Sequence, residues 1–245
     1  MSGHSHAKTI KHQKELTDKK RGQMFSKMSR LISVAVKEGG PNVETNSKLR
    51  LVFEMAKKLN MPKENVERAI KRGSNEPAGE ALEEVSFEAY GPGNIAMIIT
   101  GITDNKNRTL GEIKQILNQY NGKLVGEGSV KWLFEKKGYI TADLSSQNEE
   151  LKNKEKMEML AIEAGAEDID WQDNILNIYT TPEALEKTKK SLEEKNFRIE
   201  SVSLDWLAKE DIETDKQTKE SCQKLFDALD ESDSVQGIYS NLKID

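Results

Sequence analysis

Apolar residues recur at helical spacing through the first third of the chain. Met24, Met28, Leu31 and Ala35, widened by Phe25, Ile32 and Val36, trace one stripe, which Gly39-Gly40-Pro41 ends. A second stripe, Leu49, Val52, Phe53, Ala56 and Leu59, follows Asn46, a residue type that caps helix N-termini. Pro62 then occupies the first position of a third, short helix, with Val66, Ala69 and Ile70 inward and Gly73 as its expected C-cap. Ahead of these, residues 8–20 read as a polar helix with no apolar face, and Gly22 is the candidate break. Residues 1–7 have no periodicity and read as a tail. Residues 74–81, rich in Pro, Gly and Glu, read as a linker.

The period then changes. Residues 85–90 alternate like a half-buried strand, residues 95–102 form a compact apolar strand, and 103–109 are a polar loop into a helix that buries Leu110, Ile113, Ile116 and Leu117. A glycine-rich turn, 122–128, leads to an expected strand at 130–134. Residues 139–144 open a second series: strand, helix (149–164), strand (168–171), strand (175–179), helix (183–195), strand (197–204). That βαββαβ order is the ferredoxin-like one, with Asp173-Asn174 as a tight hairpin turn and Pro182 at the start of the second helix. A final helix with Cys222, Leu225, Phe226 and Leu229, and a strand at 235–239, supply what the unit at 82–135 lacks. The expected fold class is therefore α+β: an N-terminal helical domain (1–78), a discontinuous α+β domain (82–135 and 207–245), and a ferredoxin-like domain (138–204) inserted in it.

Charge changes the picture. The chain has net charge −5, yet residues 1–75 hold 17 Lys+Arg against 7 Asp+Glu, and the rest hold 20 against 35. A front end of net +10 on a remainder of −15 is the footprint of a polyanion binder. The expected nucleic-acid contacts are Lys8, Lys11, His12, Lys14, Lys19, Lys20, Arg21, Lys27, Arg30, Arg50, Lys63, Arg68, Lys71 and Arg72. Few aromatics interleave these cations, so base stacking within the arm is not expected. A second candidate is the loop before the helix at 110, where Asn105, Asn107 and Arg108 could hold an anion or a partner. Equally, Asp104, Asn105 or Asn107 could simply cap that helix.

Catalytic chemistry finds no foothold. The three histidines, His4, His6 and His12, all lie in the basic arm, no phosphate-binding P-loop pattern occurs, and the carboxylates fall at helix-surface spacing. His4, His6 and His12 on a solvated tail have no orienting groups, so no metal is expected. No cofactor or small-molecule substrate is expected either. The single cysteine excludes an internal disulfide, and Cys222 reads as a buried helix residue. No apolar run approaches the ~18 residues of a membrane span, and residues 1–14 lack a secretory apolar segment, which together suggest a cytoplasmic setting.

Several stretches together resemble one family. They are Gly3-His4-Ser5 with Ile10-Lys11-His12, Lys20-Arg21-Gly22, Asn60-Met-Pro-Lys-Glu-Asn-Val-Glu-Arg-Ala-Ile-Lys-Arg-Gly73, Tyr90-Gly-Pro-Gly93, Thr103-Asp-Asn-Lys-Asn-Arg-Thr109, Gly128-Ser-Val130 and Phe134-Glu-Lys-Lys-Gly138. The chain is similar throughout to the YebC/PmpR family, which includes the mitochondrial translational activator of cytochrome oxidase subunit one. The resemblance implies three domains and a DNA-binding transcriptional regulator. The alternative it implies is a ribosome-associated translation factor that binds ribosomal RNA and relieves stalling, for instance at proline runs. A small-molecule enzyme is the remote third reading. One departure stands out: His6-Ala7-Lys8 replaces the family's usual Lys-Trp-Ala, which removes a stacking group from the arm.

Overall fold

The computed structural model describes residues 18–75 and 82–243. Lys8, Lys11, His12, Lys14, the tail at 1–7 and the linker at 76–81 lie outside the described residues. Three helices come first: α1 (Asp18–Gly39), α2 (Ser47–Lys58) and α3 (Lys63–Asn75). Their stripes meet in one cluster that includes Met28, Ile32, Val36, Leu49, Val52, Ala56, Val66 and Ala69. Gly22 does not break α1; it is exposed, and a glycine on the solvent side lowers helix propensity without interrupting the hydrogen bonds.

Asn46 ties α1 to α2. Its side-chain oxygen accepts from Leu49 N at 2.9 Å, and its Nδ2 donates to Ala35 O (2.7 Å) and Gly40 O (2.8 Å), so one buried amide closes both helix ends. Gly73 is not a C-cap. It lies within α3, where a Cβ would come 2.3 Å from Ser33 O, so its missing side chain is what lets α3 approach α1. Ser33 Oγ donates to Ala69 O (2.9 Å) at the same crossing.

Two four-stranded sheets follow. One has the order β3-β1-β2-β8, built from β1 (Glu83–Tyr90), β2 (Ala96–Thr103), β3 (Lys123–Val125) and β8 (Val235–Ser240). Helices α4 (Lys106–Gln119) and α7 (Lys216–Asp230) bury Ile113, Leu117, Cys222, Leu225 and Leu229 against Phe87, Ile95, Met97 and Ile99. All three pairings are antiparallel. Strand β8 joins β2 although about 130 residues separate them in sequence, which is how a domain interrupted by an insertion closes its sheet.

The inserted unit, residues 134–207, contains β4 (Phe134–Asp143), α5 (Lys154–Ala164), β5 (Asp168–Gln172), β6 (Ile175–Thr180), α6 (Leu185–Glu194) and β7 (Ser201–Ala208). Its sheet order, β5-β6-β4-β7, is the ferredoxin-like one. The hairpin turn stands where expected, with Asp173 at φ 56° and Gln172 paired to Ile175. Both helices are shorter than their apolar patterns suggest. Asn153 caps α5, accepting from Lys156 N at 3.1 Å, and α6 starts after Pro182, at Leu185. The rest of the described chain forms a second compact unit, in which the helical segment and the first sheet are held together.

One expected strand is absent. Residues 131–133 form a 3₁₀ turn, and β4 is a single ten-residue strand from Phe134 to Asp143. The reason is Glu88 on β1, described next.

Candidate nucleic-acid interface

The expected contacts whose side chains are described divide into two groups. Lys27, on α1, spans to the end of α7: its Nζ lies 2.7 Å from Asp230 O and 2.6 Å from the Asp230 carboxylate. Arg30 Nη1 donates to Ile102 O at 3.1 Å. Arg50 folds back on the α1–α2 loop, donating to Val43 O (3.2 Å) and Glu44 O (2.6 Å). These three, expected as phosphate contacts, have partners inside the protein. Two further lysines do the same work. Lys37 donates to Leu82 O at 3.1 Å, and Lys48 lies 2.7 Å from both Glu38 and Glu84. Burial alone would lower the Lys48 pKa; the hydrogen bonds to the two carboxylates outweigh it and hold the ammonium above its ordinary value.

The second group faces solvent. Lys20 and Arg21 are exposed on the first turn of α1, beside Lys19, whose side chain is outside the described residues. On α3, Lys63, Arg68, Lys71 and Arg72 are all exposed, on the half of the helix opposite Val66, Ala69 and Gly73. Glu64 and Glu67 share that half, and Lys63 pairs with Glu67 at 3.5 Å. Four cations against two anions leave the face positive. Lys20 stands about 20 Å along α1 from the crossing at Ser33, at ~1.5 Å per residue. The two exposed groups are thus carried by helices that pack on each other.

The loop before α4 is a cap. Asn105 Oδ1 accepts from Arg108 N at 3.0 Å, and Thr103 Oγ1 accepts from Asn105 N (2.9 Å) and from Thr109 Oγ1 (2.9 Å). The Arg108 guanidinium is paired with the Asp104 carboxylate one turn back. Partial burial would raise the Asp104 pKa, but its own backbone N–H and Arg108 outweigh that and hold it below the ordinary range. Asn107 is exposed on the first turn. Asn105 and Arg108 are therefore occupied in closing the helix, as the capping alternative has it.

Two functional-looking residues escape sequence reasoning. Glu88 is 5% exposed, and its carboxylate accepts from three amides of one loop: Gly128 N (2.6 Å), Val130 N (2.6 Å) and Lys131 N (2.9 Å). Burial works to raise its pKa, but the three backbone donors, with Lys131 adding charge, prevail and hold it below the ordinary carboxylate range. This carboxylate bends residues 128–131 into a tight loop and prevents the strand expected at 130–134. Trp132 then projects into solvent, 65% exposed, with its indole N–H donating to Ser129 O at 3.0 Å. The Gly126-x-Gly128-Ser129 pattern is the only sequence signal for this turn.

Among the described residues, no three His, Cys, Asp or Glu side chains are grouped to hold a metal ion. Cys222 is fully buried, and burial pushes its thiol up to about 11, which makes it inert as a nucleophile. Among the described residues no helix is long and apolar enough to cross a membrane.

Comparison with known proteins settles the lineage. Residues 5–76 match the TACO1/YebC N-terminal domain, and residues 82–242 match the TACO1/YebC second and third domain. The chain belongs to the TACO1/YebC family. The TACO1/YebC chain is 43% identical to a probable transcriptional regulatory protein of Aquifex aeolicus, over all of this chain and 96% of the relative. It is 42% identical to proteins of the same description from Pseudothermotoga lettingae (95% of the relative covered) and Halothermothrix orenii (96%). The crystal structure of a conserved hypothetical protein from Aquifex aeolicus shares the fold, with a TM-score of 0.88 and 42% identity over 98% of each chain. These TACO1/YebC relatives span the helical segment, the discontinuous domain and the insertion together.

Proposed function

We propose that this TACO1/YebC chain is a nucleic-acid-binding regulator of transcription that docks on duplex DNA through its helical segment, as a binding protein rather than an enzyme. The observation that carries the proposal is the solvent-facing row Lys63, Arg68, Lys71 and Arg72 on α3, with Lys20 and Arg21 on α1. Each cation that neutralises a phosphate releases a counterion and contributes affinity without reading sequence. The names of the full-length relatives agree with a regulatory role in transcription. The test is fluorescence anisotropy of a labelled duplex titrated with the intact protein at several salt concentrations. Binding that weakens steadily with salt, and that weakens further in Arg68→Ala and Lys71→Ala, supports the reading; equal binding by wild type and both variants overturns it.

A second reading, a ribosome-associated translation factor on ribosomal RNA, is favoured by one specific feature. Folded RNA offers unpaired bases that stack on aromatic side chains, and Trp132 is an aromatic held out in solvent. Sedimentation of the native protein with ribosomes, compared with recovery on a promoter duplex at the same salt, separates the two.

A further inference from the structure

We infer that Trp132 and the loop before it form a second nucleic-acid subsite, one that stacks an unpaired nucleobase. The inference rests on the nucleic-acid reading above and adds to it a place and a chemistry away from the basic helices.

The side chain is built for exposure. Of the large apolar residues that face solvent among the described residues, Trp132 is the most exposed, at 65%. It contributes little to the core, yet its position is specified twice. The buried Glu88 carboxylate grips three amides of the loop, and the indole N–H is satisfied by Ser129 O at 3.0 Å. The polar edge of the ring is thereby used within the protein, and what remains on offer is the π-face. A ring whose hydrogen-bonding edge is engaged and whose faces are open favours a flat partner over one recognised through hydrogen bonds.

The surroundings suit a nucleotide. Residues 126–129 are exposed, and a Cβ at Gly128 would meet nothing within 4 Å; with Glu127 exposed and the Gly128 amide held by Glu88, this backbone suits the approach of a base or sugar better than that of a phosphate. Gly128 has φ 82°, which a glycine adopts without strain. Lys131 directly precedes the tryptophan, and Lys123 lies on β3; both are exposed. An exposed aromatic face on a preformed loop, with a lysine next to it in sequence, is a combination proteins use to hold single-stranded nucleic acid without reading its sequence.

The experiment compares intact wild type, Trp132→Ala and Trp132→Phe on three probes: a stem-loop RNA with an unpaired loop, a single-stranded DNA of the loop's sequence, and a fully paired DNA duplex. The expected result is a loss of about 5- to 150-fold in affinity for unpaired probes in Trp132→Ala, most of it restored in Trp132→Phe, with the duplex unaffected. A loss confined to the RNA identifies RNA as the source of the base, and an equal loss on both unpaired probes identifies the base alone. Trp132→Ala binding all three probes as wild type does overturns the inference while leaving the basic helices standing. So does an unchanged affinity with altered sedimentation, which would assign the indole to an interface with a second copy. If wild type binds none of the probes, the nucleic-acid reading falls and takes this one with it.

Discussion

At the scale of single residues, a few side chains have roles that composition does not announce. Glu88 is the clearest. Because its folded pKa lies below that of an exposed carboxylate, its contribution to stability is present above the ordinary carboxylate range and is lost as pH falls through the depressed value. The loop at 128–131 should therefore open in acid before the rest of its domain does. Amide hydrogen exchange at Gly128, Val130 and Lys131 measures this directly, and Glu88→Gln should speed that exchange at neutral pH and cost ~1–3 kcal/mol of stability. Gly73 is a second such residue. In Gly73→Ala the new methyl meets backbone at Ser33, so α1 and α3 must separate; thermal denaturation should show a loss of about 1–3 kcal/mol or more. Neither role can be inferred from the chain alone. Gly73 closes a helical pattern and so reads as a terminus, and Glu88 reads as any solvent-facing carboxylate of an alternating strand.

At the scale of elements, periodicity is sufficient wherever an apolar stripe is long. The stripes of α1 and α2 and the alternation of β1 identify these elements, and the βαββαβ order identifies the insertion from sequence alone. Periodicity fails where a polar group overrides the local pattern. Residues 130–134 are rich in the apolar and aromatic types that favour strands, but three of the amides in and before them are held by Glu88 and cannot join a ladder. The candidate interface is legible in outline and not in detail, for a related reason. Charge along the chain marks the helical segment as basic, but whether an arginine faces water or a carbonyl depends on its tertiary partner. Arg30 and Arg50 are bonded to backbone carbonyls, whereas Arg68 and Lys71 are exposed. The two classes should separate on mutation. Arg50→Ala should lower the melting temperature and leave the salt dependence of binding unchanged, because its cation braces the 43–44 loop. Arg68→Ala should leave melting nearly unchanged and flatten the salt slope by up to ~0.9 unit on duplex DNA. Melting curves and salt titrations on the same preparations test both halves.

At the scale of the whole molecule, the governing feature is the segregation of charge: net +10 over residues 1–75 and −15 over the remainder. On the proposed reading, an acidic remainder would disfavour phosphates away from the front end, so the charge segregation would contribute orientation as well as affinity. Several of the front-end cations, Lys27, Lys37 and Lys48 among them, are engaged by carbonyls and carboxylates of the same compact unit, whereas Lys20, Arg21, Arg68 and Lys71 are exposed on α1 and α3. The decisive measurement is the slope of log affinity against log salt for duplex DNA, taken for wild type and for the variant with Lys8, Lys11, Lys14, Lys19 and Lys20 all changed to Ala. A linear fall for wild type, flattened in the variant by up to ~0.9 unit for each phosphate no longer neutralised, is the predicted result. Identical slopes for the two proteins would contradict the assignment of the basic front end to phosphate binding.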